Sequence, residues 1–155
     1  MRPIRRYWLR ALGSVGAVTA AAAAGLMHPL QALAAEWNKA AFDARTLADA
    51  LRAAGVAAPA ASADILIRAP EIAENGALVH MEIESRIAGT ETAIVFVDRN
   101  PQPLAATFEF TSGVEPFIAT RIKMGETSQV RVVVKAAGRF YFAAREVKVT
   151  IGGCG

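Results

Sequence analysis

From Asp64 to Ile151 the apolar positions of the chain recur every second residue, in short segments separated by turn formers. That period belongs to β-strands, whose successive side chains point to opposite faces. Ile65-Leu66-Ile67 is a short β-branched run. Leu78 to Ile87 alternates, with Met81, Ile83 and Ser85 on one side and Glu82, Glu84 and Arg86 on the other. Ala93 to Val97 is apolar throughout, which suits a central strand. Leu104 to Phe110 sets Phe108 and Phe110 on one face, and Ile118 to Met124 follows as another strand. Ser128 to Lys135 sets Val130, Val132 and Val134 opposite Arg131, Val133 and Lys135. Phe140 to Ile151 reads as the last and longest strand, with Glu146, Lys148 and Thr150 facing away from Val147, Val149 and Ile151.

The breaks carry their own chemistry. Pro70 to Gly76 is a turn region ending in Asn75-Gly76. Asn100-Pro101-Gln102-Pro103 cannot continue a ladder, and Gly125-Glu126-Thr127 and Ala137-Gly138 turn the chain again. About seven strands with breaks every 8–12 residues, within roughly ninety residues, predict an all-β fold of immunoglobulin-like type, an antiparallel sandwich of two sheets. With one cysteine in the chain, the inter-sheet disulfide of many such domains is absent.

Ahead of the strands the period changes. Glu36 to Ala54 reads as an N-terminal helix capped by Asn38 and stopped by Gly55, with an uneven stripe of Phe42, Leu47, Ala48 and Leu51. Val56 to Ser62 is an Ala/Pro linker. Further upstream, Met1 to Arg10 carries Arg2, Arg5, Arg6 and Arg10 and no acid, Ala11 to Met27 is uncharged, and Ala32-Leu33-Ala34 offers a small-x-small cleavage site. These are the three regions of a secretory signal peptide. Arg5-Arg6-Tyr7-Trp8-Leu9-Arg10 has the form of a twin-arginine export signal, so the expected location is the bacterial periplasm. The expected organisation is a leader over 1–34, helix and linker over 35–62, a sandwich over 63–151 and a tail over 152–155.

Charge changes once the leader is set aside. The formal net charge of +3 comes from 17 basic and 14 acidic residues. Four of the arginines and none of the acids lie in the leader, which leaves 13 basic against 14 acidic residues beyond it. The basic balance belongs to the export signal, and a nucleic-acid partner is not expected. Once the leader is cleaved, no membrane association is expected either.

The candidate chemistry converges on Gly152-Gly153-Cys154-Gly155. Cys154 is the only cysteine, and a single unpaired thiol in an exported protein points to an intermolecular bond or a reactive role. Glycines on both sides leave the backbone free and slim, so a flexible tether is expected to carry the thiol about 10 Å beyond Ile151. Catalytic machinery is not expected. His28 lies in the leader, and His80 is the other histidine, placed inside a strand. A Cys154–His80 dyad would remove the mobility that the glycines supply. One histidine and one cysteine do not form a four-ligand metal site, and no glycine-rich turn opens a helix after a strand. No cofactor is expected. The inventory suits a carrier that holds a substrate covalently while other proteins react with it. An interaction module whose Cys154 only links chains through disulfides fits the same residues.

Several segments resemble one family. They are Thr120-Arg121-Ile122-Lys123-Met124, Thr127-Ser128, Val134-Lys135-Ala136-Ala137-Gly138, Tyr141, and Glu146 through Gly155, with Ala69 through Gly76 and Asn100-Pro101 upstream. Together they resemble the sulfur-carrier subunit Y (SoxY) family of the periplasmic Sox sulfur-oxidation system, most specifically in a Gly-Gly-Cys-Gly-Gly ending after a Val-Thr-Ile strand. This sequence shows Gly-Gly-Cys-Gly, one glycine fewer.

The resemblance implies an immunoglobulin-like fold and a heterodimer with the Z subunit, itself a small β-sandwich. It implies a haem-bearing complex that joins thiosulfate oxidatively to the cysteine sulfur. A manganese-dependent hydrolase that releases sulfate and a molybdenum-haem sulfane dehydrogenase would act next. On this sequence it makes Cys154 the attachment atom, with Gly152, Gly153 and Gly155 as its tether. A free thiol ionises near pH ~8.5, so activation of Cys154 is expected inside each partner rather than in the free carrier. Exposed apolar residues on Ala93–Val97 and Ser128–Lys135 are expected as contacts for the Z subunit or as core.

Overall fold

Alternation of polarity along a strand fixes which face is buried, and the computed structural model follows that rule strand by strand. The structure describes residues 38–151. The expected leader with Arg5 and Arg6, and Gly152, Gly153, Cys154 and Gly155, lie outside the described residues. Two helices, α1 (Lys39–Asp43) and α2 (Leu47–Ala53), precede the strands β1 (Ala60–Ala61), β2 (Ile65–Arg68), β3 (Ile72–Ala73), β4 (Val79–Ser85) and β5 (Thr90–Val97). The remaining strands are β6 (Leu104–Glu109), β7 (Phe117–Ile122), β8 (Ser128–Ala136) and β9 (Arg139–Val149).

Two sheets face each other. One runs β1-β9-β8-β5-β6, with β3 also on β9; the other runs β2-β4-β7. The all-β, immunoglobulin-like sandwich expected from periodicity is present, and its seven longer strands coincide with the seven read from the sequence. The two additional strands are two residues each and pair in parallel with β9, at Tyr141–Phe142 and at Lys148–Val149. They lie where the sequence reads a linker and a turn, because two residues are too few to show a period.

Between the sheets lies the main core. Val79, Met81 and Ile83 from β4 meet Val95 and Val97 from β5, Val130, Val132 and Val134 from β8, and Val147 from β9. Glu82 on the opposite face of β4, and Arg86 just past its end, stay at the surface, as their charge demands. Glu84 there accepts from both Arg68 and Arg86. The Arg86 guanidinium is the main cause holding its carboxyl below the ordinary range.

A second core explains the unbroken apolar runs. Ile94 and Phe96 of β5 and Val133 of β8 point away from the sandwich and are covered by α1 and α2, together with Leu104, Phe140 and Phe142. Strands β5 and β8 are therefore buried on both faces. Their apolar residues are core, and the expectation that they could meet a Z subunit is corrected: Ile94, Phe96 and Val133 lie at or below 5% exposure.

The helical segment also departs from expectation. It is two short helices, not one. Asn38 does cap the first, its Oδ1 accepting from the Ala41 amide. The chain turns extended at Ala44, and Thr46 caps the second helix by accepting from the Asp49 amide. Thr46 Oγ1 donates to the Asp49 carboxylate, which also accepts from Arg52. A Thr-x-x-Asp box thus restarts the helix inside an alanine-rich stretch. Of the expected stripe, Phe42, Leu47 and Leu51 are partly buried but Ala48 is exposed; the deepest contacts come from Ala41 and Ala50. Small side chains let the helices lie close against the sheet.

Removing the Thr46 cap by Thr46→Ala should lower stability by about 1 kcal/mol in urea unfolding. Its bond to Asp49, more than that from Arg52, holds the carboxyl below its ordinary 3.8. That contribution should be complete above the unfolded value and fade as pH falls through the lower folded one. The β8–β9 hairpin turns through Ala137 and Gly138 at φ 47° and 72°, the left-handed pair of a type I′ turn. Ala137→Asn should raise stability by about 0.5 kcal/mol, read from the same unfolding curves.

Candidate functional site

The chain leaves its described body at Ile151, three residues before Cys154. How that departure point is held decides how the thiol can be presented. Strand β9 ends as a ladder at Val149, two residues earlier than expected, yet the hydrogen bonding continues. The Lys148 amide donates to Glu71 O at 3.0 Å, and the Thr150 amide to Ala73 O at 3.1 Å. Thr150 Oγ1 donates to Glu74 O at 3.0 Å. On the other side, the Val149 amide donates to Thr127 Oγ1 at 2.9 Å.

Gly76 completes the anchor. Its amide donates to Ile151 O at 2.7 Å, while its own carbonyl accepts from the Met124 amide at 2.7 Å. One residue therefore ties the end of β9, from one sheet, to the segment following β7, from the other. Met124 is fully buried beneath it. The turn that sets Gly76 is the Asn75-Gly76 turn read from the sequence: Asn75 Oδ1 accepts from the Ala77 amide at 2.8 Å. A second side chain extends the lattice. Asn100 donates through Nδ2 to Lys123 O at 2.7 Å and accepts from the Gly125 amide at 2.9 Å. Three loops, 71–78, 98–103 and 123–127, are thus fastened to one another around the departure point.

The predicted site residues fall on two sides of this boundary. Cys154, Gly152, Gly153 and Gly155 lie outside the described residues, so the last fixed point of the path towards them is Ile151. His80 lies on the exposed face of β4, directly across from Arg121 on β7, with Arg121 Nε 3.1 Å from His80 Nε2. Its strand-face position agrees with the reading from periodicity. Among the described residues no three His, Cys, Asp or Glu side chains gather as a metal site requires. None of their helices is long and apolar enough to cross a membrane. Sequence reasoning missed β3 and the Glu71–Gly76 anchor, reading them only as a turn. The signal was present in the resemblance of Ala69 through Gly76, a stretch longer than a simple turn needs.

The family model described as sulfur oxidation protein SoxY matches residues 51–154. The chain belongs to the SoxY family. The matched span starts in α2, takes in all nine strands and runs through Cys154. Among solved structures, the sulfur carrier protein SoxY from Chlorobium limicola f thiosulfatophilum aligns at 39% identity with a TM-score of 0.63. The alignment covers 73% of this chain and 99% of that one. A structure concerning T cell activation by the bacterial superantigen toxic shock syndrome toxin-1 aligns at 14% identity and a TM-score of 0.36, too distant to carry any argument. A search of curated protein sequences finds no match. SoxY family membership thus agrees with the two-sheet fold and with the motifs quoted from the sequence.

The anchor can be tested apart from any sulfur chemistry. Thr127→Val keeps the shape of residue 127 but leaves the half-buried Val149 amide without its acceptor. The expected cost is about 1–3 kcal/mol, with faster amide hydrogen exchange at Val149 and Thr150 than at mid-β9 residues such as Phe142.

Proposed function

We propose that this SoxY-family chain is a covalent carrier of sulfur intermediates in the periplasm, with Cys154 as the attachment atom and Gly152, Gly153 and Gly155 as its slim tether. One observation carries the reading: the family match extends through Cys154, the only thiol in the chain, three residues beyond a departure point held from both sheets. The body supplies position and the tether supplies access.

The chemistry is the partners'. In loading, the Cys154 thiolate forms an S–S bond to the sulfane sulfur of thiosulfate; one proton leaves the thiol, and two electrons pass to a haem-bearing partner. Hydrolysis by a manganese-dependent partner then breaks the bond between that sulfur and the sulfonate, releasing sulfate and leaving a persulfide on Cys154. A molybdenum-haem sulfane dehydrogenase would oxidise the remaining outer sulfur. The Z subunit is the expected permanent partner. The carrier itself performs no catalytic step in this scheme and needs no cofactor. Export through Arg5 and Arg6 would deliver it to the oxidising compartment, where a thiol without an internal partner stays available for exchange.

The test is intact-mass analysis of carrier incubated with thiosulfate and the conjugating complex. The wild-type protein should gain a thiosulfate-derived mass that tryptic mapping places on Cys154, and Cys154→Ser should gain none and support less than about 1% of thiosulfate oxidation, the scale expected when a sole nucleophile is removed. Adduct on Cys154→Ser, or undiminished turnover with a disulfide dimer as the sole species lost, would replace the carrier with a cross-linking module.

A further inference from the structure

One side of the sandwich is open. There β6 ends one sheet and β7 ends the other. Between their free edges lies a hollow of about 640 Å³, whose lining includes Asn100, Gln102, Leu104, Ala105, Arg121 and Lys123. Ala105 and Ala106 are too small to fill it. Two segments that stand out in the sequence, Asn100-Pro101 and Thr120 through Met124, meet here, and the carrier scheme leaves both without a role. Ile122, between Arg121 and Lys123, is buried, so alternation sends both cations outward. Their backbones are at most about 7 Å apart.

Each cation is held in place and unopposed. Arg121 Nε donates to His80 Nε2 at 3.1 Å, which orients the guanidinium and leaves its Nη nitrogens without a partner among the described residues. Lys123 is fixed through its carbonyl, which accepts from Asn100 Nδ2 at 2.7 Å. No carboxylate among the described residues forms an ion pair with either cation. The lining of the hollow contains no Asp or Glu. On the other side of Arg121, over β4, Glu82 lies 3.6 Å from Arg68, and Glu84 is shared by Arg68 and Arg86. Those carboxylates are already matched. Gln102 is exposed, and its side-chain amide has no partner among the described residues.

Like charges side by side repel, and an anion bound between them replaces that repulsion with attraction. A guanidinium offers parallel N–H groups that fit two oxygens of one anion. An ammonium adds a point charge, and a primary amide adds a further donor. We propose that Arg121, Lys123 and Gln102 form a binding site for a small divalent tetrahedral oxyanion, the chemistry shared by sulfate and thiosulfate. A polyanion is a poorer match. Beyond the expected leader 13 basic residues stand against 14 acidic ones, so the surplus of positive charge is local to this hollow. Met124, next to Lys123, donates its amide to Gly76, whose own amide holds Ile151. The site thus lies at the end of the body from which the tether leaves, but its occupancy does not depend on Cys154.

The experiment is a heteronuclear NMR titration of the full-length, reduced protein with sodium sulfate or sodium thiosulfate, against sodium chloride at equal ionic strength. The Arg121 Nε–H, the Lys123 amide and the Gln102 side-chain amide should shift saturably with a midpoint of about 1 mM, and chloride should not reproduce the shifts. Arg121→Gln and Lys123→Gln, read at the remaining signals, should each raise the midpoint about tenfold, as loss of one charge-assisted hydrogen bond predicts. Arg139→Gln, which removes an exposed arginine at the β8–β9 turn, should stay within about twofold. Should Arg121→Gln lower the melting temperature, Lys123→Gln decides alone, since the Lys123 side chain has no partner to lose among the described residues. Tighter binding of thiosulfate marks a substrate-like occupant and tighter binding of sulfate a product-like one; either supports the site. Shifts matched by chloride, equal shifts at the Arg139 Nε–H, or a wild-type midpoint in Lys123→Gln overturn it. Silence toward both dianions also overturns it, and broadening of the same amides by the Z subunit would then make the hollow a protein interface. Cys154→Ser should keep the wild-type midpoint, so the outcome here stands apart from the test of the carrier reading.

Discussion

Gly76 uses both of its backbone groups to join the sheets at one end: its amide reaches Ile151 O and its carbonyl accepts from the Met124 amide. Without that pair, β9 would hand over to the tail from a frayed end. Termini usually fray, because the last residues give up conformational freedom for few contacts. Here Lys148, Val149, Thr150 and Ile151 each spend a backbone group on a fixed partner. Order therefore extends to within three residues of the thiol. The reach available beyond that point is set by covalent geometry rather than by chance loosening of the strand.

The rest of the body serves this arrangement. β9 is the longest strand, eleven residues, and is held by β8 on one edge and by β1 and β3 on the other. Its neighbour β8, and β5 beyond it, are clamped between two cores, the inter-sheet one and the one under α1 and α2. A one-residue slip of a strand buried on both faces would force side chains fitted to one core into the other, at a cost in packing. The register of β9, and with it the position of Ile151, is thereby inherited from the most buried part of the molecule. The parallel strands β1 and β3 also cap an edge that would otherwise offer unpaired backbone to another chain.

How much of this could be read from residues alone depended on whether a feature was periodic. β4 announced itself because Val79, Met81 and Ile83 alternate with His80, Glu82 and Glu84, and β5 because Ala93–Val97 has no polar residue at all. The doubly buried faces of β5 and β8 were legible as apolar runs, but what covered them was not. The break at Ala44–Thr46 was hidden by alanine, which favours helix on either side while the Thr46 cap decides locally. The anchor at Glu71–Gly76 was the hardest to see. Its bonds use backbone atoms of Glu71, Ala73, Glu74 and Gly76, which every sequence possesses, so no periodicity marked it and only the family-like run of Ala69 through Gly76 hinted at it. Cys154 stood out for the opposite reason, as a residue type that occurs once.

A carrier visited by several enzymes faces a conflict between affinity and turnover. A large interface would hold each partner too long, and a tether alone would give no preferred approach. Fixing the point from which the tether leaves supplies a preferred approach without a large interface. In the proposed carrier role the short distance from Ile151 to Cys154 would do the discriminating: a centre deeper than about 11 Å from the body surface could not be reached, whatever its affinity for the thiol. Shortening or lengthening that span changes which centres are accessible without altering the fold. The anchor on Gly76 is what makes the span a fixed quantity, for a frayed β9 would lengthen the reach by several residues and erase the selection.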